Sequence, residues 1–207
     1  MVIAIDGPAG AGKSSVARAV AERLGFTYLD TGAMYRAVAL AARESGAPPG
    51  RVAERIELDV GDRVMADGRD VTEAIRAPDV AEAASRVAAD PAVRAALVRK
   101  QRALVAAGDW VAEGRDIGTV VAPDAAVKVF LHASPRERAR RRAAETGADL
   151  ELVLAEQRAR DERDDSARRS VLEPAKDAVP VDTTDLSLDE VVDQVVTLAV
   201  EAKEVGA

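Results

Sequence analysis

The run Gly7-Pro-Ala-Gly-Ala-Gly12-Lys13-Ser14 constrains this 207-residue chain more than any other feature. It follows the apolar segment Val2–Ile5 and opens onto a helical pattern at Ser14–Leu24, so a strand must end and a helix begin across it. In that context it fits G-x-x-x-x-G-K-[ST], a phosphate-binding loop. Its glycines allow a tight turn whose backbone amides face a polyphosphate, and the helix N-terminus adds a favourable dipole. Lys13 is expected to reach the β- and γ-phosphates of a nucleotide, and the Ser14 hydroxyl to ligate Mg²⁺. The expected ATP-binding set is Gly7, Pro8, Ala9, Gly10, Ala11, Gly12, Lys13, Ser14 and Ser15.

What the chain lacks narrows the chemistry further. It has no Cys, no Asn, one His and five aromatic residues. Without Cys there is no disulfide scaffold, thiolate nucleophile or thiolate metal site. The lone His132 excludes a two-histidine metal site. Zero Asn removes the guanine-reading NKxD element, and no D-x-x-G occurs, so a GTPase switch does not fit. Five aromatics are too few for a stacking single-strand binder. Eight acidic residues and one Lys lie from Asp177 onward, and the preceding 176 residues carry 28 charges of each sign. A neutral body with an acidic tail exerts no general pull on nucleic acid or an anionic membrane. No leader pattern and no apolar run of about 18 residues is visible, which leads us to expect a cytoplasmic protein.

Short apolar runs at Val2–Ile5, Thr27–Leu29, Trp110–Ala112, Val127–Leu131 and Val179–Val181 alternate with helical patterns. That alternation predicts an α/β fold, a P-loop NTPase-type doubly wound parallel sheet of about five strands. Helices are expected at Ala33–Glu44, Val80–Ala89, Pro91–Ala106, Pro135–Thr146, Leu150–Asp165 and Leu188–Lys203. Gly46-Ala-Pro-Pro-Gly50 is a breaker cluster, and residues 63–71 read as a small hairpin around Asp67-Gly68. Residues 46–90, approximately, form an insert within a single domain spanning 1–207.

The loop implies phosphoryl transfer, which rests on positioning and on neutralising developing charge. If the acceptor is itself a phosphate, fixed cations must hold it. Asp30-Thr31-Gly-Ala-Met-Tyr35-Arg36 follows the second strand at the carboxyl edge where ligands bind in such sheets. Thr31 is expected to cap the next helix, with Tyr35 and Arg36 in its first turns. Glu113-Gly-Arg115-Asp116-Ile-Gly118 ends another strand. Arg160, Asp164 and Arg168 share one helix face at i, i+4 and i+8. Arg outnumbers Lys 24 to 5, and forked donors suit phosphate.

Taken together, I-D-G-P-A-G-A-G-K-S, L-D-T-G-A-M-Y-R, Ile75-Arg76, Ala83-Ala-Ser85-Arg, Pro91-Ala-Val-Arg94, Gly114-Arg115-Asp116-Ile-Gly-Thr, Arg160-Asp161 and Val181-Asp182-Thr-Thr resemble bacterial cytidylate kinase, the (d)CMP kinase branch of the nucleoside monophosphate kinases. The resemblance runs end to end, and the 46–90 insert sets this branch apart from adenylate kinases. It implies transfer of the ATP γ-phosphoryl group to CMP or dCMP with Mg²⁺, and a monomer with no nucleic-acid or membrane partner. By position it assigns Thr31, Tyr35, Arg36, Ser85, Arg94, Arg115, Asp116, Arg160 and Asp164 to CMP. Arg36, Arg115 and Arg160 would grip its phosphate, Ser85, Arg94 and Asp116 would read cytosine, and Asp164 would accept from the sugar. Asp30 joins this side and is a candidate for orienting Mg²⁺-bound water.

The resemblance also makes residues 134–160, approximately, a short lid whose Arg138, Arg141 and Arg142 close over ATP; Arg141 and Arg142 join Lys13, Arg36, Arg115 and Arg160 in the catalytic set. One departure stands out. The family arginine beyond Asp164 falls on Ala167 without a gap, and Arg168 takes its place after a shift of one. The competing readings are another small P-loop kinase, acting on UMP, AMP or a non-nucleotide acceptor such as shikimate, and a non-catalytic ATP-binding regulator.

Overall fold

The structure, a computed structural model, describes residues 1–61, 63–166 and 173–205. Two compact units emerge: Met1–Tyr28 with Asp109–Ala207, and Leu29–Gly108.

The first unit is built on β1 (Val2–Asp6), which pairs in parallel with β6 (Trp110–Gly114) on one side and β7 (Val127–His132) on the other. β8 (Val179–Asp182) extends the sheet from β7, also in parallel. β2 (Thr27–Asp30) completes five strands in the order β2-β6-β1-β7-β8. The five expected runs are therefore the five strands. Strands buried in a parallel sheet need apolar residues on both faces, which is why Ile3, Ala4, Ile5, Val129 and Leu131 are almost wholly inaccessible. Helix α1 (Lys13–Leu24) and α8 (Leu188–Val205) cover the sheet with Val16, Val20, Val191, Val192 and Val195. Chain order reverses at β1, so the loop following it lies at the switch point where such sheets bind ligands. α6 (Pro135–Thr146) and α7 (Leu150–Ser166) pack as an antiparallel pair around Ala139, Val153 and Leu154, joined through Gly147 in the left-handed conformation.

In the second unit α2 (Thr31–Ser45) packs on α4 (Pro78–Val87), and α3 (Pro49–Arg55) on α5 (Pro91–Val105). β3 (Leu58–Val60), β4 (Val64–Ala66) and β5 (Arg69–Asp70) form a small antiparallel sheet. The expected hairpin is β4–β5, and its turn places Asp67 and Gly68 at positive φ, as a two-residue turn of this kind requires. The breaker cluster turns out to start α3, with Pro49 in its first turn, where the missing N–H costs nothing. Neither α3 nor β3 stood out in the sequence. A further correction concerns the start of α2: its cap is Asp30, whose side chain accepts the Ala33 amide at 2.8 Å, and Thr31 is already helical. Asp outcompetes Thr here because a carboxylate is the better acceptor at the positive end of a helix. Among the described residues no helix is long and apolar enough to cross a membrane.

Candidate active site

The loop between β1 and α1 is shaped by three glycines at positive φ, Gly7, Gly10 and Gly12. Gly7 has no room for a side chain, because a Cβ there would lie 2.0 Å from the Leu131 carbonyl oxygen. Three loop carbonyls are held by side chains: Lys13 Nζ donates to Pro8 at 2.8 Å, Arg138 Nη1 to Ala9 at 3.0 Å and Thr183 Oγ1 to Ala11 at 3.2 Å. Among the described residues no peptide is cis, so each held carbonyl turns the following N–H the opposite way. The amides of Ala9, Gly10 and Gly12 thus each point away from the side chain that holds the preceding carbonyl.

At the carboxyl end of β6, the buried Glu113 receives the Ser14 hydroxyl at 3.0 Å and the Tyr28 hydroxyl at 2.5 Å. A serine hydroxyl beside a carboxylate is an all-oxygen pair of the kind a hard divalent cation takes. Asp6, at the end of β1, accepts the backbone amides of Ile117 and Gly118, both at 2.8 Å. Burial pushes its pKa up to about 6; those two amides and Lys13 pull downward, and the Asp116 charge adds to the rise. These bonds fix the turn that carries Arg115 and the buried Asp116.

Opposite the loop stands α6. Arg138 is 5% exposed and bonded to Asp161 of α7 at 2.6 Å. Arg141 donates to the hydroxyl of Thr183 at 3.0 Å, to its carbonyl, and to Glu137 at 2.9 Å. Bonds from Arg140 and Arg141 hold the Glu137 carboxyl down at about 2. Arg142 is exposed and donates to Glu145 at 3.3 Å. Gly12, Ser15, Arg141, Thr183, Thr184 and Leu188 are among the residues lining a cavity of about 570 Å³ between the loop, α6 and the segment after β8.

In the second unit Asp30, Thr31, Tyr35 and Arg36 cluster at the start of α2. Asp30 caps the helix with one oxygen and takes Arg36 Nη2 at 2.8 Å with the other. Ser85 lies on α4 and Arg94 in the first turn of α5, both half-buried. Residues 160 and 164 fall one turn apart on α7, and Arg168 lies outside the described residues.

The cytidylate kinase family model matches residues 3–201. This chain belongs to the cytidylate kinase family. A cytidylate kinase of Desulfitobacterium hafniense (strain Y51) is 50% identical, the match covering 99% of this chain and 94% of that protein. One from Mycobacterium avium (strain 104) is 48% identical over 100% and 98% of the two chains. Among solved structures, a gluconokinase from Sinorhizobium meliloti 1021 superposes with a TM-score of 0.54 at 20% identity, covering 99% of this chain and 94% of its own, a likeness of fold. Cytidylate kinase membership and the strand order together account for the phosphate loop at the sheet's switch point.

Sequence reasoning gave no role to Asp6, Glu113, Asp161 or Thr183. Each partner is distant in the chain: Glu113 is 99 residues from Ser14, and Thr183 is 172 from Ala11. A signal existed for Asp6 and Glu113, since both are acidic residues closing otherwise apolar strands, where burial of a charge demands a partner.

Proposed function

We infer that this chain transfers the γ-phosphoryl group of ATP to CMP or dCMP, giving CDP or dCDP and ADP. The observation that carries the reading is the half-identity to cytidylate kinases along nearly the whole chain, joined to a phosphate loop whose carbonyls are held by Lys13, Arg138 and Thr183.

The loop amides and Lys13 hold the β- and γ-phosphates. The cavity beside Gly12 and Thr183 seats the adenosine of the donor, with Leu188 and Val191 supplying apolar surface and Arg141 a planar cation against the base. Ser14 and Glu113 fit Mg²⁺, which keeps several waters and needs only one or two protein oxygens besides the phosphates. When bound, the ion would neutralise charge between the β- and γ-phosphates.

On the acceptor side, the family resemblance assigns Tyr35, Arg36, Ser85, Arg94, Arg115, Asp116, Arg160 and Asp164 to CMP. Arg36, Arg115 and Arg160 take the phosphate. Cytosine presents an amino donor with carbonyl and ring-nitrogen acceptors, which Asp116, Arg94 and Ser85 complement. A phosphate oxygen of CMP attacks the γ-phosphorus as the bond to the β–γ bridging oxygen breaks. The nucleophile is already ionised at neutral pH, so no general base is required, consistent with the lack of a catalytic His. Arg141 and Arg142 of α6 serve to exclude water, which would otherwise compete as acceptor. We read the enzyme as a cytoplasmic monomer.

The test is kcat/KM for CMP, dCMP, UMP, AMP and shikimate in an ADP-release assay. CMP and dCMP should lead by orders of magnitude; AMP or shikimate ahead of both would overturn the reading.

A further inference from the structure

Arg138 has the sequence setting of a solvated lid arginine, and the structure puts it elsewhere. Its side chain is 6% exposed and sits under the phosphate loop. Nη1 binds the Ala9 carbonyl at 3.0 Å, and Nη2 binds Asp161 Oδ2 at 2.6 Å. Gln157, also buried, donates to the Arg138 carbonyl at 3.3 Å. Gly10 lies against this group: a Cβ built there would be 3.0 Å from Arg138 Cβ and 3.1 Å from Gln157 Nε2. We propose that Asp161 is a positioning residue for the donor site, acting through Arg138 on the Ala9–Gly10 peptide, so that Arg138 serves the phosphate loop and not the phosphates themselves.

The chain of causes is short. A guanidinium this deeply buried needs a counter-charge, and Asp161 supplies it while fixing the plane of the fork. The fixed fork holds the Ala9 carbonyl. Because the peptide is trans, that hold decides where the Gly10 amide points. The group is not arranged for stability alone, since Arg138 Nε and Gln157 Oε1 are buried without a hydrogen-bond partner, which a purely structural cluster would avoid. Asp161 also sits next to position 160 on α7, so one helix turn contributes both to the loop support and to the residues assigned to the acceptor.

The inference rests on ATP being the donor, so its primary readout is the Kd of Mg-ATP by calorimetry, which needs no acceptor. Asp161→Asn should weaken ATP about tenfold, the scale of one charge-assisted hydrogen bond, while KM for CMP stays within twofold. Arg138→Lys should do the same, and the double variant should be no worse than the weaker single, because the two act as one unit. Asp161→Glu, which keeps the charge, should recover most of the affinity. If Asp161→Asn does not fold, Gln157→Met must show the same split between ATP and CMP. An unchanged ATP Kd in Asp161→Asn, or losses that multiply in the double variant, would overturn the proposal. Wild-type chain that binds ATP yet does not phosphorylate CMP would count against the substrate reading alone.

Discussion

Asp6 holds Gly118 by its backbone, Oδ2 accepting the amide at 2.8 Å, and so ties the end of β1 to the turn after Arg115 and Asp116. The carboxyl is buried with its pKa raised from 3.8 to about 6. A raised value means the folded state keeps its proton through a range in which the unfolded chain has lost it. The stabilising contribution is therefore complete below about pH 4 and is lost as pH rises to 6. Relative to Asp6→Asn, which cannot titrate, the wild type should lose on the order of 3 kcal/mol across that window, with no further change above pH 7. Guanidinium unfolding of both proteins at pH 4, 5, 6 and 7 measures it. A constant difference would refute the assignment.

Gly7 leaves no alternative residue. With φ at +146° and a Cβ position 2.0 Å from the Leu131 oxygen, Gly7→Ala must displace the backbone of β7 or distort the loop. We expect a loss of more than about 3 kcal/mol, seen as a lower melting temperature, together with abolished ATP binding. A variant melting within a few degrees of wild type would contradict the packing described.

Lys13 Nζ donates to the Pro8 carbonyl at 2.8 Å, and its side chain is half-buried at the loop. Lys13→Ala should leave the fold intact and lower kcat about 10²- to 10³-fold, the range for removing one preorganised group from developing transition-state charge. Circular dichroism together with steady-state turnover checks both halves. Near-normal kcat would show that the amides suffice.

Arg115 follows β6 and precedes the turn that Asp6 secures. If it grips the CMP phosphate, Arg115→Ala should raise KM for CMP at least tenfold, the scale of a lost charge-assisted contact, while KM for ATP changes little. Unaltered CMP affinity would remove Arg115 from the phosphate clamp.

The reach of the sequence differs between elements for physical reasons. The strands were legible because parallel strands must be apolar on both faces, and the β4–β5 hairpin because Asp67-Gly68 suits positive φ. The phosphate loop was legible because its glycines serve local geometry. α3 was hidden behind Pro48-Pro49-Gly50, since proline both ends one helix and opens the next. The cap at Asp30 was misassigned to Thr31 by one residue, a distinction that depends on which side chain reaches Ala33. Thr183 and Asp161 were opaque for a different reason. Their roles come from partners brought near only by the folded sheet and the α6–α7 pair, and no local periodicity encodes them. Arg138 read as a lid arginine closing over ATP, and nothing local in its run signals the burial beside Asp161.

β1 is hydrogen-bonded on both edges, to β6 and to β7, while β2 and β8 each have an open side among the described residues. Local opening begins where backbone bonds face solvent, so the amides of Ile3 to Ile5 should be the last to exchange with deuterium. The catalytic loop therefore grows from the segment that comes apart last. As the molecule warms, the root of the phosphate cradle in β1 should outlast its outer prop, since Thr183, which holds the Ala11 carbonyl, follows the edge strand β8.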